Sequence, residues 1–382
     1  MKTETKIIPF SKPYFSQEES DALKAPIESG WISQGKEVEK FENNLSEICQ
    51  VENVIAVNSC TSALHLSLLA LGIGPEDEII CPSYSFIATA NSIKHAGAAP
   101  IFTDVDINTS NMSPELTEKH ITNKTKAIMV IHQFGFLVDL DGFRKLADKY
   151  NLFLIQDAAC AIGSTYKDKP FATYGDISCL SFHPRKVITT GEGGAILTND
   201  KKIAKVTREL RSHGASISDT ERHKALGILY EDYHIVGYNF RMSDLNAAVG
   251  NIQINKLNEI IYKRTKITNK YLNAFEKLKD KISLPIWRSD TKPNFQTFQV
   301  RILAGKEKRD NLISSLAKSG VSTRRGIPPI HLEKAYSTLS KYKKVSLPNT
   351  ELLSEQGLCL PIFPGLDIND QEYVIQKVIK NL

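Results

Sequence analysis

One lysine of this sequence, Lys186, stands where its amine can react with a carbonyl compound. It lies between two apolar runs, 177–182 and 195–198, and the glycine-rich turn 191–194 leads into the second run. A lysine held at the end of a buried strand, beside small residues that admit a ligand, suits Schiff-base chemistry. A solvated surface lysine fits the same local pattern. The other reactive residues of the chain must therefore decide between the two interpretations.

A group of small hydroxyl residues follows the short apolar strand predicted over 54–57. Ser59, Thr61 and Ser62 open a strongly apolar helix predicted over 63–71. The free N–H groups and the dipole at such a helix end favour a phosphate group. Simple capping of the helix by Ser59 or Thr61 is the alternative interpretation.

Two further side chains come directly after predicted strands. Asp157 ends the apolar run 152–156 and is followed by small residues, while Phe86 lies in the turn after the strand 78–81. Open α/β sheets bind their ligands at the carboxyl ends of the strands. Asp157 can pair there with a cationic ring nitrogen or can cap the next helix, and the local sequence leaves both possibilities open.

Pyridoxal phosphate needs one partner of each of these four kinds. Its phosphate group requires a helix N-terminus, its ring a flat apolar face, its pyridinium nitrogen a carboxylate and its aldehyde a lysine amine. The chain offers the four features in the order 59–62, Phe86, Asp157 and Lys186. Their combination is more specific than any one of them and predicts a pyridoxal phosphate site.

The elements that must position these residues have an α/β pattern. Continuous apolar runs separated by helical patterns are typical of a parallel sheet covered on both faces. A long helix is predicted from 243 or 244 to about 279, and a long polar loop over 217–233. We expect a large cofactor-binding domain over 1–250, with an N-terminal arm over 1–35, and a smaller α+β domain over 251–382. The predicted strands and helices of the large sheet are 54–57, 63–71, 78–81, 87–95, 101–105, 127–132, 141–150 and 152–156.

Composition excludes several classes of protein. The 382 residues are 41% apolar and 24% charged, as in an ordinary globular protein, and the net charge of +5 is too small and too dispersed to indicate nucleic-acid binding. No apolar run is long enough to span a membrane. The six cysteines form no C-x-x-C pair, so we expect no metal site and reduced thiols in a cytoplasmic protein.

One glycine-rich stretch, 30–36, is close to a nucleotide-binding P-loop. Glu37 stands where that motif needs Ser or Thr to reach the metal ion, and no strand precedes the stretch. The sequence therefore does not predict a nucleoside triphosphate site there.

At this point the chain resembles the DegT-type (DegT/DnrJ/StrS) sugar aminotransferases, pyridoxal phosphate enzymes of fold type I. The resemblance covers nearly the whole chain and keeps the order of the family's motifs. These are SGWI with a following glycine, NSCTSALHLSLLALGIGPEDEII, CPSYSFIATANSI, QDAACAIGSTY, SFHPRKVITTGEGGAIL, GYNFRMSDLNAA, RRGIPPIH and LCLPIFPGL. It implies an aspartate-aminotransferase-like fold and a homodimer with shared active sites.

The resemblance implies a role for each matching residue. Lys186 holds the cofactor as a Schiff base and later moves the proton, as a desolvated lysine that loses its own proton near neutral pH. Asp157 pairs with the ring nitrogen, and Phe86 stacks on the ring. The residues implied at the phosphate group are Cys60, Thr61, Ser181 and, from the neighbouring subunit, Asn239.

Two positions depart from the family pattern. The family commonly has Gly at the position of Cys60, and Gln or His at that of Cys160. The second side chain usually bonds the 3′-oxygen of the cofactor, and a thiol is a weak donor. The sequence therefore predicts a weakened contact at Cys160, or its replacement by water or a neighbouring group.

The implied reaction moves an amino group from glutamate, through pyridoxamine phosphate, to a keto-deoxy sugar linked to a nucleotide. The run that follows Lys186 favours sugar carbon 4 over carbon 3. A non-nucleotide ketone, such as an aminocyclitol precursor or dihydroxyacetone phosphate, is the alternative acceptor. Loop packing or solvation is an equal alternative for each candidate substrate residue, and these candidates are His183, Arg324, Arg325 and His331.

Two other functions are disfavoured by the reactive residues themselves. A 3-dehydrase of the same family has His at the lysine position, whereas this chain has Lys186. A non-catalytic cofactor-binding or regulatory protein would not need both Asp157 and Lys186. The sequence therefore predicts a transaminase.

Overall fold

The structure, a computed structural model, describes residues 6–217, 222 and 230–382. Most of the loop predicted over 217–233 lies outside the described residues. Within them the strands are β1 (Asn53–Val57), β2 (Glu78–Pro82), β3 (Ala99–Thr103), β4 (Thr125–Ile131), β5 (Phe153–Asp157), β6 (Thr165–Tyr166), β7 (Lys169–Pro170), β8 (Ile177–Ser181), β9 (Gly194–Thr198), β10 (Ile282–Ser283), β11 (Thr291–Lys292), β12 (Phe298–Ile302), β13 (Arg324–Arg325) and β14 (Gly357–Leu360).

Helices connect and cover these strands. Short 3₁₀ turns are added at Gln133–Gly135, Phe171–Thr173, Glu276–Leu278 and Ile330–Leu332. The α-helices of the described residues are α1 (Gln17–Ala22), α2 (Lys24–Ser29), α3 (Lys36–Cys49), α4 (Cys60–Ala70), α5 (Ala88–His95), α6 (Pro114–Glu118), α7 (Leu140–Tyr150), α8 (Lys201–Arg211), α9 (Asp244–Asn255), α10 (Leu257–Phe275), α11 (Lys306–Lys318), α12 (Lys334–Ser337), α13 (Pro348–Gln356) and α14 (Ile368–Asn381).

The large sheet has seven strands in the order β1-β9-β8-β5-β4-β2-β3. All neighbouring pairs are parallel except the two that involve β9, which runs against both β1 and β8. The predicted α/β class with a mostly parallel sheet is confirmed. Six strands therefore present their carboxyl ends at one edge, where ligands of open α/β sheets bind.

Alternate residues of each strand serve the two faces of this sheet. In β1, Val54 and Ala56 pack with α3, α7 and α10 on one side, and Ile55 and Val57 pack with α4, α5 and α8 on the other. Continuous apolar strands are the consequence, because neither face meets solvent. The sheet forms the rigid layer from which the site residues project.

A smaller antiparallel sheet, β10-β12-β14-β13, carries the C-terminal part of the chain. The start of the described chain bridges to the segment just before β13, because Ile8 donates its N–H to the Gly320 carbonyl and accepts from the Ser322 N–H. A third sheet, β11-β6-β7, pairs residues 291–292 with 165–166. Contacts thus cross the domain division expected at 250, which stays a prediction.

The prediction of one continuous helix up to about 279 is wrong. The segment is two helices, α9 and α10, which meet at Lys256, and the second ends at Phe275. The Lys256 ammonium lies 2.8 Å from carboxylate oxygens of both Glu18 and Glu19, so it ties this joint to α1. The break needs neither Pro nor Gly, because Lys256 keeps right-handed dihedral angles, and the sequence pattern therefore does not reveal it.

The P-loop-like stretch leads into α3, whose N-terminus already holds an anion. The Asp244 carboxylate accepts hydrogen bonds from the N–H groups of Gly35 at 2.8 Å and Val38 at 3.0 Å. Side-chain carboxylates favour this position for the same reason that phosphates do. An internal residue therefore fills the place that a nucleotide phosphate would need.

Candidate active site

Three strand ends are brought together by the register of the large sheet. Gly194, the first residue of β9, pairs with Val57 on one side and with Ser181 on the other. A Cβ at Gly194 would lie 2.6 Å from the Cys60 nitrogen and 2.5 Å from the Ser59 carbonyl carbon. Only glycine allows this approach, which sets Ser181 beside the N-terminus of α4.

The helix end at 59–62 is both capped by a side chain and open to a phosphate group, the two possibilities that the sequence left open. Ser59 caps α4, since its hydroxyl accepts the Ser62 N–H at 3.1 Å. The N–H groups of Cys60 and Thr61 are left at the open end of the helix, and within the described residues the Ser181 hydroxyl has no hydrogen-bond partner. Two amides, a hydroxyl and a helix dipole can hold a phosphate group here.

Asp157, at the carboxyl end of β5, is buried, and none of the described residues forms an ion pair with it. Its oxygens accept hydrogen bonds from the Thr89 hydroxyl at 2.8 Å and from the Ala159 N–H at 3.2 Å. Burial raises the pKa of the Asp157 carboxyl, although these two donors and the charge of Lys186 oppose the rise. A cationic ring nitrogen would supply the missing partner.

Thr89 is a site residue that the sequence did not single out. It lies in the first turn of α5, and its hydroxyl is also 2.8 Å from the Ser85 hydroxyl. Phe86 lies in the same turn, with 74% of its surface exposed. Thr89 thereby joins the loop that carries Phe86 to Asp157, a contact between distant segments that no spacing along the chain indicates.

Lys186 is half-buried, and its amine is 3.3 Å from the Cys160 sulfur. Burial lowers the pKa of the Lys186 ammonium, but its interactions with Cys160, Cys60 and Asp157 raise it more, so the pKa of Lys186 is raised. Without a ligand the amine therefore keeps its proton at neutral pH. Loss of this proton near neutral pH stays a prediction for the enzyme with its cofactor bound.

The two departing cysteines both line the site. Burial raises the pKa of the Cys60 thiol well above its usual range, whereas Cys160 is partly open and contacts Lys186. The Cys160 carbonyl accepts a hydrogen bond from the Asn294 side chain at 2.8 Å. The Cys160 thiol therefore lies beside the lysine, at the position where the family usually has a stronger hydrogen-bond donor.

The four candidate substrate residues lie in different surroundings. His183 is three residues before Lys186, and its Nδ1 accepts the Arg185 N–H at 3.2 Å. Arg324 and Arg325 are exposed on β13, where no hydrogen bond or ion pair joins them to Lys186 or Asp157. The structure therefore keeps His183 near the lysine and places the two arginines on the small sheet.

His331 has no ring nitrogen left for a substrate in this conformation. Its Nδ1 is 2.7 Å from the Ser83 hydroxyl and its Nε2 is 3.2 Å from the Glu351 carboxylate, and the ring is fully buried. Ser83 begins the loop that carries Phe86. His331 thus joins this loop to Glu351, and its role as a substrate residue stays a prediction.

Asn239 is exposed, in a segment that runs against the end of β1. The Asn58 N–H donates to the Phe240 carbonyl at 2.9 Å, and Val57 forms a bridge with Arg241. Nearby apolar side chains are also exposed, including Tyr230 at 83% and Val236 at 90%. The structure thus leaves Asn239 and an apolar surface accessible to another subunit.

The described residues lack two other features. They contain no group of three or more His, Cys, Asp or Glu side chains that could hold a metal ion. None of their helices combines the length and the apolar character needed to cross a membrane. The six cysteines are free thiols.

This constellation fits pyridoxal phosphate group by group. It offers open amides and an unpartnered hydroxyl to the phosphate, a buried carboxylate to the ring nitrogen, an aromatic face to the ring and an amine to the aldehyde. A seven-stranded sheet of this topology with such a site defines a pyridoxal-phosphate-dependent aminotransferase.

Comparison with known proteins identifies the group more closely. Residues 13–379 match the model of the DegT/DnrJ/EryC1/StrS aminotransferase family, and the chain belongs to this family. GDP-perosamine synthase of Escherichia coli O157:H7 is 37% identical over 376 residues, covering 98% of each chain. The spore coat polysaccharide biosynthesis protein SpsC of Bacillus subtilis strain 168 is 33% identical over 374 residues, which cover 97% of this chain and 96% of SpsC.

Solved structures agree with this membership. NtdA from Bacillus subtilis, solved with bound cofactor PMP, has a TM-score of 0.86 and 29% identity, with 96% of this chain and 81% of that chain covered. The predicted fold, enzyme class and pyridoxal phosphate cofactor are confirmed. The roles of single residues stay predictions that the geometry supports.

Proposed function

We propose that this enzyme transfers an amino group from glutamate to a keto-deoxy sugar carried on a nucleotide, with the keto group at sugar carbon 4 rather than carbon 3. The observation that carries the proposal is the convergence of Lys186, Asp157 and the open end of α4 on one edge of the sheet. The similarity to GDP-perosamine synthase supports a sugar nucleotide, and that to SpsC supports a place in the synthesis of a surface polysaccharide.

Lys186 does the proton work in this proposal. When bound, pyridoxal phosphate supplies a carbonyl carbon that takes the amino group and a ring that accepts electrons. The amine of Lys186 would hold the cofactor until the donor takes its place, and its Nζ would then move a proton from the α-carbon of the donor to the cofactor carbon that receives the amino group. The Lys186 ammonium must lose its proton before it can do this. Pairing of Asp157 with the ring nitrogen would help, because the charge of Asp157 is one of the causes that raise the pKa of Lys186.

The remaining residues bind and orient the cofactor. The amides of Cys60 and Thr61 and the Ser181 hydroxyl hold the phosphate group, and Phe86 lies against the ring. Asn239 reaches the phosphate group from the partner subunit of a homodimer. The exposure of Asn239 and of the apolar side chains near it supports this assembly.

The free state of all six cysteines supports a reducing compartment, and we place the enzyme in the cytoplasm. Cys60 and Cys160 line the site itself. A thiol beside the reactive amine is compatible with catalysis only where oxidants are kept low.

The acceptor is tested by a screen of the protein loaded with pyridoxamine phosphate. Keto sugars on nucleotides, with the keto group at carbon 4 or carbon 3, are compared with dihydroxyacetone phosphate, and return of the visible absorption of the pyridoxal form is recorded. We expect the fastest return with a 4-keto sugar nucleotide. Return with the small phosphorylated ketone alone would establish the alternative acceptor.

The donor and the lysine are tested in the same assay. Glutamate should bleach the pyridoxal form of the wild-type enzyme, and Lys186→Ala should abolish turnover. Full turnover by this variant would show that the lysine assignment is wrong, whatever the acceptor.

A further inference from the structure

A segment from the C-terminal part of the chain, 294–296, contacts both walls of the lysine pocket. We propose that Asn294 and Gln296 are positioning residues that hold the backbone next to Asp157 and Lys186 in register for cofactor binding and proton transfer. The inference rests on the roles proposed above for Asp157 and Lys186. It concerns two amide side chains that contact neither the amine nor the carboxylate.

Asn294 fixes the turn that follows Asp157. Its side-chain N–H₂ group donates to the carbonyls of Cys160 and Ile162, both at 2.8 Å, and the side chain is fully buried. Its side-chain oxygen accepts the Gln296 N–H at 2.9 Å. The amide is therefore fully used, and Cys160, whose sulfur meets the Lys186 amine, is held through its own carbonyl.

The surroundings of Asn294 show how closely this contact is fitted. Gly135, which has a φ of +89°, passes so close that a Cβ there would lie 1.9 Å from the Asn294 side-chain oxygen. Ser164 accepts the Asn294 N–H at 3.0 Å and donates to the Gly135 carbonyl at 2.9 Å. Three segments that are distant in sequence are thus locked around one amide.

Gln296 holds the turn that carries Lys186, on the other side of the pocket. Its side-chain N–H₂ group donates at 2.9 Å to the carbonyl of Arg185, the residue directly before Lys186. Its side-chain oxygen accepts the Thr297 hydroxyl at 2.7 Å, which fixes the orientation of the amide. One short segment therefore sets the distance between the turn after Asp157 and the turn that carries Lys186.

A buried arginine anchors the segment from behind. Arg264 of α10 is 1% exposed and donates to the carbonyls of Phe295 at 3.2 Å and Gln296 at 3.0 Å. Burial lowers the pKa of its guanidinium to about 10, and among the described residues no carboxylate forms an ion pair with it. A charge placed in the interior without an acidic partner is costly, and the Nη1 group of Arg264 offsets part of that cost by donating to carbonyls of this segment.

The test removes the side-chain hydrogen bonds of Asn294 and of Gln296 separately, and it measures cofactor affinity as well as turnover. Asn294→Asp keeps the shape and the acceptor but turns two donated bonds into contacts between oxygens. Gln296→Leu removes the bond to Arg185 without adding charge. We expect each variant to bind pyridoxal phosphate roughly tenfold more weakly, as the loss of about one net hydrogen bond implies, and to lower kcat with little change in the KM for glutamate.

Matched controls separate positioning from stability. Asn251→Asp converts a buried amide that bonds the Glu37 carbonyl, and Gln371→Leu removes a bond to the Ile267 carbonyl, both outside the lysine pocket. These variants should lower the melting temperature but leave cofactor affinity unchanged. For Asn294→Asp, lowering the pH should narrow the difference from wild type, because a protonated carboxyl can again donate one bond.

Two results bear on two different assignments. Borohydride reduction and peptide mapping identify the lysine that carries the cofactor, so a label on another lysine would overturn the role of Lys186. A label on Lys186, with affinity and kcat of Asn294→Asp and Gln296→Leu equal to those of their controls, would overturn the positioning role. Gln296 is half-buried, so its variant remains testable even if the Asn294 variant fails to fold.

Discussion

Gly194→Ala tests whether the end of α4 binds a phosphate group. The added Cβ would meet the Ser59 carbonyl carbon at 2.5 Å and the Cys60 nitrogen at 2.6 Å. Both are backbone atoms, so a side-chain rotation cannot relieve the contact. To reach even 3.0 Å, the gap between β9 and the helix end must widen by about 0.5 Å, and Ser181, paired with residue 194, moves with the strand.

The cost falls on both stability and phosphate binding. Overpacking of a buried site costs about 1–3 kcal/mol of the free energy of unfolding. Hydrogen bonds to a charged group contribute about 1.5–3 kcal/mol each. Loss of one such bond between the phosphate group and Ser181 or the amides of Cys60 and Thr61 predicts a roughly 10- to 100-fold weaker affinity for pyridoxal phosphate.

The assay compares pyridoxal phosphate with pyridoxal, which lacks the phosphate group. We expect Gly194→Ala to weaken binding of the first and to leave binding of the second nearly unchanged. Gly250→Ala is the control, because its Cβ would meet side-chain rather than backbone atoms, those of Phe41 at 2.6 Å and the Thr190 methyl group at 2.8 Å. Equal losses for both ligands, or an effect no larger than that of Gly250→Ala, would refute the phosphate site.

Three further outcomes follow from the site. Mixing Lys186→Ala subunits with Asn239→Ala subunits should restore about a quarter of wild-type activity if Asn239 acts across a dimer. Half of the dimers then contain one subunit of each kind, and each of these has one intact site out of two. If the mixture recovers no activity, Asn239 acts within its own subunit. Burial lowers the pKa of His132 to about 4 from 6.5, so the unfolded chain binds the extra proton first and stability falls by about 3 kcal/mol as the pH drops from about 6.5 to 4; His132→Gln should flatten this part of the urea-unfolding profile, and an unchanged slope contradicts the reasoning. Thr89→Val removes a donor to Asp157 and raises the pKa of that carboxyl further, so kcat should fall about tenfold, most at low pH, with recovery as the pH rises; a loss independent of pH would argue against this coupling.

Local patterns in the sequence were sufficient for the sheet and for the chemistry. Parallel strands buried on both faces read as continuous apolar runs, and the strands from β1 to β5 differ from the predicted runs by only one or two residues. Asp157 ends one such run and Lys186 lies four residues after another, so the sheet edge at which they lie could be predicted. The capping of α4 by Ser59 could also be predicted, because the capping residue and the helix it caps are adjacent in the sequence.

Contacts between distant segments could not be predicted in the same way. His331 and Ser83 are 248 residues apart, and Asn294 and Cys160 are 134 residues apart. A single sequence contains no signal for such pairs, because each residue alone is compatible with packing, solvation or ligand binding. The joint at Lys256 is similar, since it depends on carboxylates of α1 rather than on a residue that breaks helices.

The small sheet also has a consequence for the order in which the chain assembles. Ile8 pairs with the residues around Val321, so its partners are made 312 residues later, the separation between Ile8 and Gly320. At a synthesis rate of about 5–20 residues per second, the first segment waits about 15–60 s on the ribosome before its pairing partner exists. The segment 294–296 likewise reaches the lysine pocket late. The large sheet can form earlier during synthesis, but the pocket around Lys186 becomes complete only after residues 294–296 have been made.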